Sequence, residues 1–431
     1  MATLYKKTNF NITLFLLLFF SLFNIKIRGI PVITTHILYG GIGAIIFIIY
    51  FPSILKKRIS NTFKRHIFIF IFLLMIILLS LLIHLSTDLS FIKLFVFNNT
   101  VSLFIAYVLC KYVEIKKISK REFLRYFVIV YFVQALFTLY FFINKEVCKM
   151  IYSYIDMGER INACIEDLIA YRAFGLSFGF DMGTADMTVG LIFSLFLYLT
   201  EPKSYNRWFF VFFICAISGI LMARTMFIGI LITVLFILFF PKEKGNRKIS
   251  FFCKLLLLII CLTTVVLIFI DSKEFMRTIW WLTDIFIQLF SKKGLTSGSL
   301  YELTKGDFVF CPEIDTLIIG EGVYDMNLVS RYTDVGHIRL LMYFGIFGYL
   351  TYLVYLLSRV NLFLGKRKNS QEKYTCVFLF IFQFIFLWKI FYTISSFPIL
   401  MLTGVLCWQN ENSEVNGDQY RNDHIQWFEI S

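Results

Sequence analysis

Four ionisable side chains crowd the stretch "RYTDVGHIR": Arg331, Asp334, His337 and Arg339. Two guanidiniums bind anions, a carboxylate orients or deprotonates a hydroxyl, and an imidazole titrates near neutral pH. Together they are the parts for activating a hydroxyl beside a phosphorylated leaving group. Plainer roles stand beside that one. Asp334 is also an N-cap candidate for the next helix, worth ~0.3–1 kcal/mol against the helix dipole, and His337 an interfacial polar residue. In a helix beginning near Asp334, Asp334 and His337 share a face at i and i+3, while Arg339 points elsewhere.

Two further arginines stand out. Arg224 in "ISGILMARTMFIGILI" sits between two apolar runs, with no Asp or Glu in the stretch. It reads equally as an interfacial anchor or as a rigid fork for phosphate. Arg172 in "YRAFGLSFGFDMG" precedes the spaced glycines Gly175, Gly179 and Gly183. These allow either close backbone approach to a ligand or, the favoured reading, a shaped loop re-entering the bilayer. Asp181 and Asp186 read as caps of the next helix.

The elements that must position these groups follow from composition. The 431 residues are 58% hydrophobic and 16% charged, with mean hydropathy +0.76 and 53 Phe. A soluble domain cannot hide that much apolar surface, so lipid is the solvent for most of the chain. The apolar runs do not alternate with polar residues as barrel strands do, which leaves helices. The net charge of +14 fits basic loops retained on the cytoplasmic side rather than nucleic-acid binding. The nine Cys form no CxxC, and no HExxH or HxE pattern occurs, so neither a metal nor another cofactor is expected. The N-terminal apolar run lacks a small-x-small cleavage site and reads as an uncleaved span.

A span needs roughly 20 apolar residues. Twelve candidates lie near 9–26, 31–53, 67–85, 91–112, 125–143, 185–200, 208–223, 226–240, 254–270, 337–358, 374–390 and 393–409. The last two share one run pinched by Lys389, so eleven is the alternative count. The expected fold is a single all-α polytopic membrane domain over 1–431, with cytoplasmic N- and C-termini and a short tail at 410–431. This orientation puts well over half of the 42 Lys and Arg on the cytoplasmic side. Two long loops, 144–184 and 271–336, then face outward. The second carries Phe275, Met276, Ile279, Leu282, Phe286, Leu289 and Phe290 at helical spacing beside Trp280 and Trp281, the pattern of an amphipathic interfacial helix. Cys148, Cys164 and Cys311 would face an oxidising compartment; free thiols are the favoured reading and a bridge the alternative.

Three segments resemble the bacterial O-antigen and capsule polymerases (Wzy-type), of the superfamily that includes O-antigen ligases. "YRAFGLSFGF" is similar to that family's Arg-x-x-Gly stretch, and "SGILMARTMFIGIL" to its apolar-Arg-apolar hairpin. "IIGEGVYD" with "TDVGHIRLLMYFGIFG" is similar to its Gly-x-Gly turn, Asp-x-Gly helix start and Gly-x-x-Gly, here Gly345 and Gly348. Related ligases tend to carry His where this chain has Asp334, which favours a polymerase. The resemblance implies an architecture like that of the GT-C glycosyltransferases, in the bacterial inner membrane. It implies a metal-independent enzyme that moves a glycan from undecaprenyl diphosphate onto another lipid-linked repeat at the periplasmic face. Implied catalytic residues are Asp334, Arg224 and His337; implied substrate-binding residues are Arg172, Arg331, Arg339, Trp280 and Trp281. The implied partners are the lipid-linked oligosaccharide, the bilayer and a chain-length regulator protein, with no nucleic acid. A flippase for the same lipid-linked sugars and an O-antigen ligase are the alternatives. A flippase should line a central cavity with charge and keep short loops on both faces.

Overall fold

The computed structural model describes residues 10–30, 34–56, 61–156, 159–170, 172–176, 180–201, 203–241, 245–268, 273–290, 311–324, 333, 335–364 and 370–388. The described residues are almost entirely helical, with two isolated β-bridges and no strand. In chain order the helices are α1 (Ile12–Leu22), α2 (Thr35–Lys56), α3 (Asn61–Ile83), α4 (Ser90–Lys116), α5 (Lys120–Ile143), α6 (Lys145–Tyr154), α7 (Glu159–Ile169), α8 (Phe180–Thr200) and α9 (Tyr205–Met222). There follow α10 (Met226–Phe239), α11 (Gly245–Ile268), α12 (Lys273–Phe290), α13 (Ile314–Ile319), α14 (Gly336–Leu364) and α15 (Ser370–Phe386). Among the described residues, six stretches are long and apolar enough to cross a membrane: Lys64–Ile83, Ser90–Lys116, Lys120–Ile143, Met182–Thr200, Tyr205–Met222 and Gly336–Val360. Four shorter apolar helices accompany them. The described residues thus have the all-α pattern of a multi-pass membrane protein, the solution hydrocarbon imposes because each helix satisfies its own backbone. The expected run at 393–409 lies outside the described residues.

Packing directions sort the helix ends into two sets. The Asn11 backbone N–H, just before α1, donates to Tyr126 Oη at 2.6 Å, and Tyr112 Oη donates to Asn11 Oδ1 at 2.8 Å. So α1 starts where α4 ends and α5 starts. Helices α2 and α4 run parallel, Gly40 against Val101 and Phe47 against Phe104 and Tyr107. Helices α3 and α14 run antiparallel: Ser80 Oγ donates to Tyr343 O at 3.2 Å, and His66 Nδ1 meets Ser358 Oγ at 2.8 Å. Helices α10 and α15 are also antiparallel, since Phe240 packs on Tyr374 and Phe236 on Phe378. The start of α14 meets the end of α15 through His337 and Phe384, at the end where α10 begins. Helix α8 is the enclosed centre, packed by α5, α9, α10 and α15.

One end is basic. Glu201, only 4% exposed, accepts from Arg125 Nε at 2.8 Å and Trp208 Nε1 at 3.0 Å, with Arg121 Nε at 3.3 Å. Arg121 also donates to Thr200 O, Arg247 to Leu199 O, and Lys248 to Leu238 O and Phe240 O. Cations thus cap the last carbonyls of α8 and α10, where the helix dipole favours them. Glu201→Ala should destabilise the protein by about 1–3 kcal/mol. The exposed guanidiniums can turn to water, whereas the buried indole N–H loses its acceptor outright. A thermal unfolding midpoint in detergent, read by indole fluorescence, checks this; an unchanged midpoint contradicts it.

The other end carries α6, α7, α12 and α13. There the Lys26–Asp156 ion pair (2.5 Å) and the Arg28 N–H to Tyr154 O bond (2.7 Å) tie α6 to the α1–α2 connection. Cys148 is buried and Cys311 exposed, both as free thiols; the Cys164 side chain lies outside the description. Burial pushes the Cys148 thiol up to about 11, with Lys145 opposing the shift, so it stays protonated.

Helix α14 is broken at this end. Phe344 and Gly345 leave helical geometry, Gly345 at φ +65°, ψ −172°. The freed carbonyls find partners across the gap: Glu321 N–H donates to Met342 O at 2.5 Å and Gly322 N–H to Tyr343 O at 3.0 Å. The turn after α13 thereby docks into the break. Gly320 (φ +84°) lies so close that a Cβ there would sit 2.6 Å from Tyr343 O. The Gly-x-Gly turn and Gly345 are two halves of one backbone contact, which glycine alone permits.

Candidate anion-binding site

Helix α9 ends at Met222, Ala223 is extended, and α10 starts at Met226, so Arg224 and Thr225 form a tight hairpin. The hairpin is pinned by Thr184 Oγ1 against Thr225 Oγ1 at 2.8 Å. An extended stretch arrives beside it, with Ala173 N–H donating to Leu221 O at 3.0 Å. Gln134 of α5 receives that stretch by accepting from Leu176 N–H at 3.2 Å, and Tyr152 Oη donates to Gly175 O. A side chain at Gly175 would collide with the Gln134 amide. The glycine of Arg-x-x-Gly is therefore a packing requirement that sets Arg172 next to the hairpin.

Helix α12 supplies the rest. Thr278, Trp281 and Asp284 recur at i, i+3 and i+6 along one stripe, and Thr278 is buried. The Arg172 guanidinium lies 4.9 Å and the Arg224 guanidinium 5.1 Å from the Trp281 ring centroid. Sharing one ring, the two guanidinium carbons are no more than about 10 Å apart, the sum of those distances. Arg224 Nη1 also reaches Asp284 Oδ2 at 3.2 Å. Each cation–π contact contributes roughly 0.5–1 kcal/mol, while two cations ~10 Å apart repel by roughly 1–2 kcal/mol at an effective dielectric near 20. An anion between them would relieve that repulsion. The buried Arg224 Nε–H has no acceptor among the described residues and offers such an anion one more donor.

The remaining sequence candidates fall elsewhere. Trp280 is 61% exposed, a neighbour of Trp281 on α12 that stands in the open. Arg331 and Asp334 lie outside the described residues. His337 is enclosed between α14 and α15, its Nε2 3.0 Å from Phe384 O and its Nδ1 2.9 Å from Tyr349 Oη. A neutral ring donating through Nε2 and accepting at Nδ1 satisfies both. In a straight helix His337 and Tyr349 would be ~18 Å apart along the axis, so this bond exists only because α14 is broken. Arg339 stacks 3.9 Å from the Tyr324 ring centroid and donates through Nη2 to Tyr324 O at 3.0 Å.

Sequence reasoning missed two acids. Asp88, 6% exposed, accepts from Tyr324 N–H at 2.6 Å and Ser90 N–H at 2.9 Å, holding the segment that Arg339 covers. Burial pushes the Tyr324 hydroxyl up to about 12, against Arg339 and with Asp88, so it remains a neutral donor. Asp284 is the other; its i+3 spacing from Trp281 on an amphipathic helix was the available signal. The structure joins Arg172, Arg224 and Trp281 of the expected set, adds Asp284, and sets His337 and Arg339 into packing roles at the same end. No family model, curated protein or solved structure matches the chain.

Proposed function

We propose that the chain is a surface-polysaccharide polymerase of the Wzy type. It transfers a glycan from undecaprenyl diphosphate onto the sugar hydroxyl of another lipid-linked repeat. In this reading the chain crosses the bacterial inner membrane about twelve times in a GT-C-like arrangement. The basic end is cytoplasmic with both termini, and the end bearing α6, α7, α12 and α13 is periplasmic. The observation that carries the reading is the pair of arginines on Trp281, at the end where the long segments gather. Two guanidiniums within reach of one another match the two phosphates of a diphosphate, and positive charge fixed there stabilises the leaving group as its bond breaks. Arg331 and Asp334 belong to the same proposal, Asp334 orienting the acceptor; a chain-length regulator is the expected protein partner.

Transport of the same lipid-linked sugar is the second reading, and one observation favours it. Arg359, 1% exposed, stacks near Tyr355 and donates to Gln383 Oε1 inside the bundle. An intramembrane arginine often marks a pathway. Its neighbours His66, Ser358, Tyr355 and Asn99 bond one another, however, as a packed structural group would. The loop-end cluster therefore weighs more. Deleting the chain in its native host and examining surface glycan on a gel separates the readings. A lost ladder that leaves one repeat on the lipid anchor is the expected result. Absence of any attached sugar would overturn it in favour of a flippase or ligase.

A further inference from the structure

We propose that α5 and α9 together form a groove for one anionic phospholipid. Arg121, Arg125 and Arg207 take its phosphate, and the apolar stripe beyond them takes its acyl chains. The groove lies at the basic end of the bundle, away from the arginine pair on Trp281, and does not rest on the polymerase reading. Both helices begin at this end, so their dipoles add to its positive charge. Residues 119–125 and 201–207 carry five Lys and Arg against two carboxylates, Glu122 and Glu201, which leaves the surface cationic. Other cations of this end are engaged within the fold: Arg247 and Lys248 on helix carbonyls, Lys111 on Glu114.

Buried Glu201 turns these cations into a built site. It takes Arg125 through Nε alone, at 2.8 Å, and both terminal nitrogens of that guanidinium stay without a protein acceptor. Arg121 Nε lies 3.3 Å from the same carboxylate oxygen, and its Nη2 donates to Thr200 O. The Arg121 and Arg125 side chains are 54% and 45% exposed against 4% for Glu201, so a sealed acid holds two outward forks. Arg207 is exposed and makes no side-chain bond among the described residues. Guanidiniums already fixed, with N–H pairs to spare, match a phosphate diester at little ordering cost. Phe132 and Leu136 follow Arg125 on one face of α5, and Phe210 follows Arg207 by one turn on α9. The Phe132 and Phe210 rings meet at 6.0 Å, so the arginines head a single groove. Phe210 and Leu136 are exposed along it. From Arg125 to Leu136 the helix rises ~16 Å, about half of the ~30 Å hydrocarbon core and so one leaflet. A zwitterionic lipid brings its own ammonium to its phosphate and competes with the guanidiniums. The groove therefore favours a headgroup without a tethered cation.

The test places the full chain in nanodiscs of equal phosphatidylglycerol and phosphatidylethanolamine content, and native mass spectrometry counts the lipids that stay bound. The wild-type chain should retain phosphatidylglycerol in about tenfold excess or more, and Arg207→Gln alone should lower that excess about fivefold, the usual effect of one cation at an anionic headgroup. Because Arg207 contributes no bond to the fold, its thermal midpoint in zwitterionic detergent should not move. Arg125→Gln with Arg207→Gln should bring the two lipids to parity. Lys64→Gln with Arg65→Gln removes two exposed cations of α3 at the same end and should keep the wild-type excess. Equal retention of both lipids by the wild-type chain overturns the proposal, as does an excess undiminished in the Arg125 and Arg207 double variant. An equal loss in the α3 control also overturns it, since net charge rather than a groove would then attract the lipid.

Discussion

On the proposed function, Arg224→Ala should cut glycan polymerisation by about a hundred- to a thousandfold, the range for removing one preorganised donor to a developing anion. The loss is large for two reasons. The hairpin holds the guanidinium with Nε buried, so its donors need no reordering when substrate arrives. Its removal also leaves Asp284 facing the incoming phosphate without the counter-charge now 3.2 Å away. Arg224→Lys should recover little, since one ammonium cannot reproduce the planar fork and the ring stacking together. Arg172→Ala should be milder, and the double variant no worse than the stronger single one by the full product, because both arginines share Trp281 and one ligand. The measurement is the glycan ladder from cells carrying each variant, normalised to the amount of protein in the membrane. A full ladder from Arg224→Ala at normal abundance would remove the site assignment.

Most of the bundle could be read from the chain because hydrocarbon leaves so few options. The runs expected at 208–223 and 226–240 are α9 and α10, Tyr205–Met222 and Met226–Phe239. The helix inferred from Phe275, Met276, Ile279 and Leu282 is α12. What stayed hidden is long-range or conformational. Arg224 has no acid near it in sequence, and its carboxylate partner arrives from sixty residues away. Nothing in local spacing reports such a pairing. The break in α14 was hidden for another reason: Gly345 sits in an unbroken apolar run, and glycine in membrane helices also serves close packing. Only the docked turn at Gly320–Gly322 distinguishes the two uses, and it too is remote in sequence. His337 shows the consequence. As part of a charged quartet it reads as a catalytic group, whereas the fold gives both ring nitrogens protein partners.

That break supplies the largest expected effect on stability. Gly345→Ala meets the backbone of Ile318 and Ile319: its Cβ would collide with the Ile318 carbonyl, and φ +65° with ψ −172° is a conformation essentially confined to glycine. Relief by straightening α14 would expel α13 and forfeit the bonds to Met342 O and Tyr343 O, leaving polar groups unpaired at the bundle's end. It would also draw Tyr349 away from His337. Strain of roughly 1–3 kcal/mol plus lost backbone bonds of about 1 kcal/mol each puts the cost near 3–5 kcal/mol, beyond most point substitutions. Gly41→Ala on α2 is the matched control, with nothing within 4 Å of the added carbon, and should be silent. The readouts are the thermal midpoint in detergent and the membrane abundance of each variant. If alanine at 345 leaves both at their wild-type values, the turn and the break are not interlocked, and the glycine pairs on which the family resemblance partly rests need another explanation.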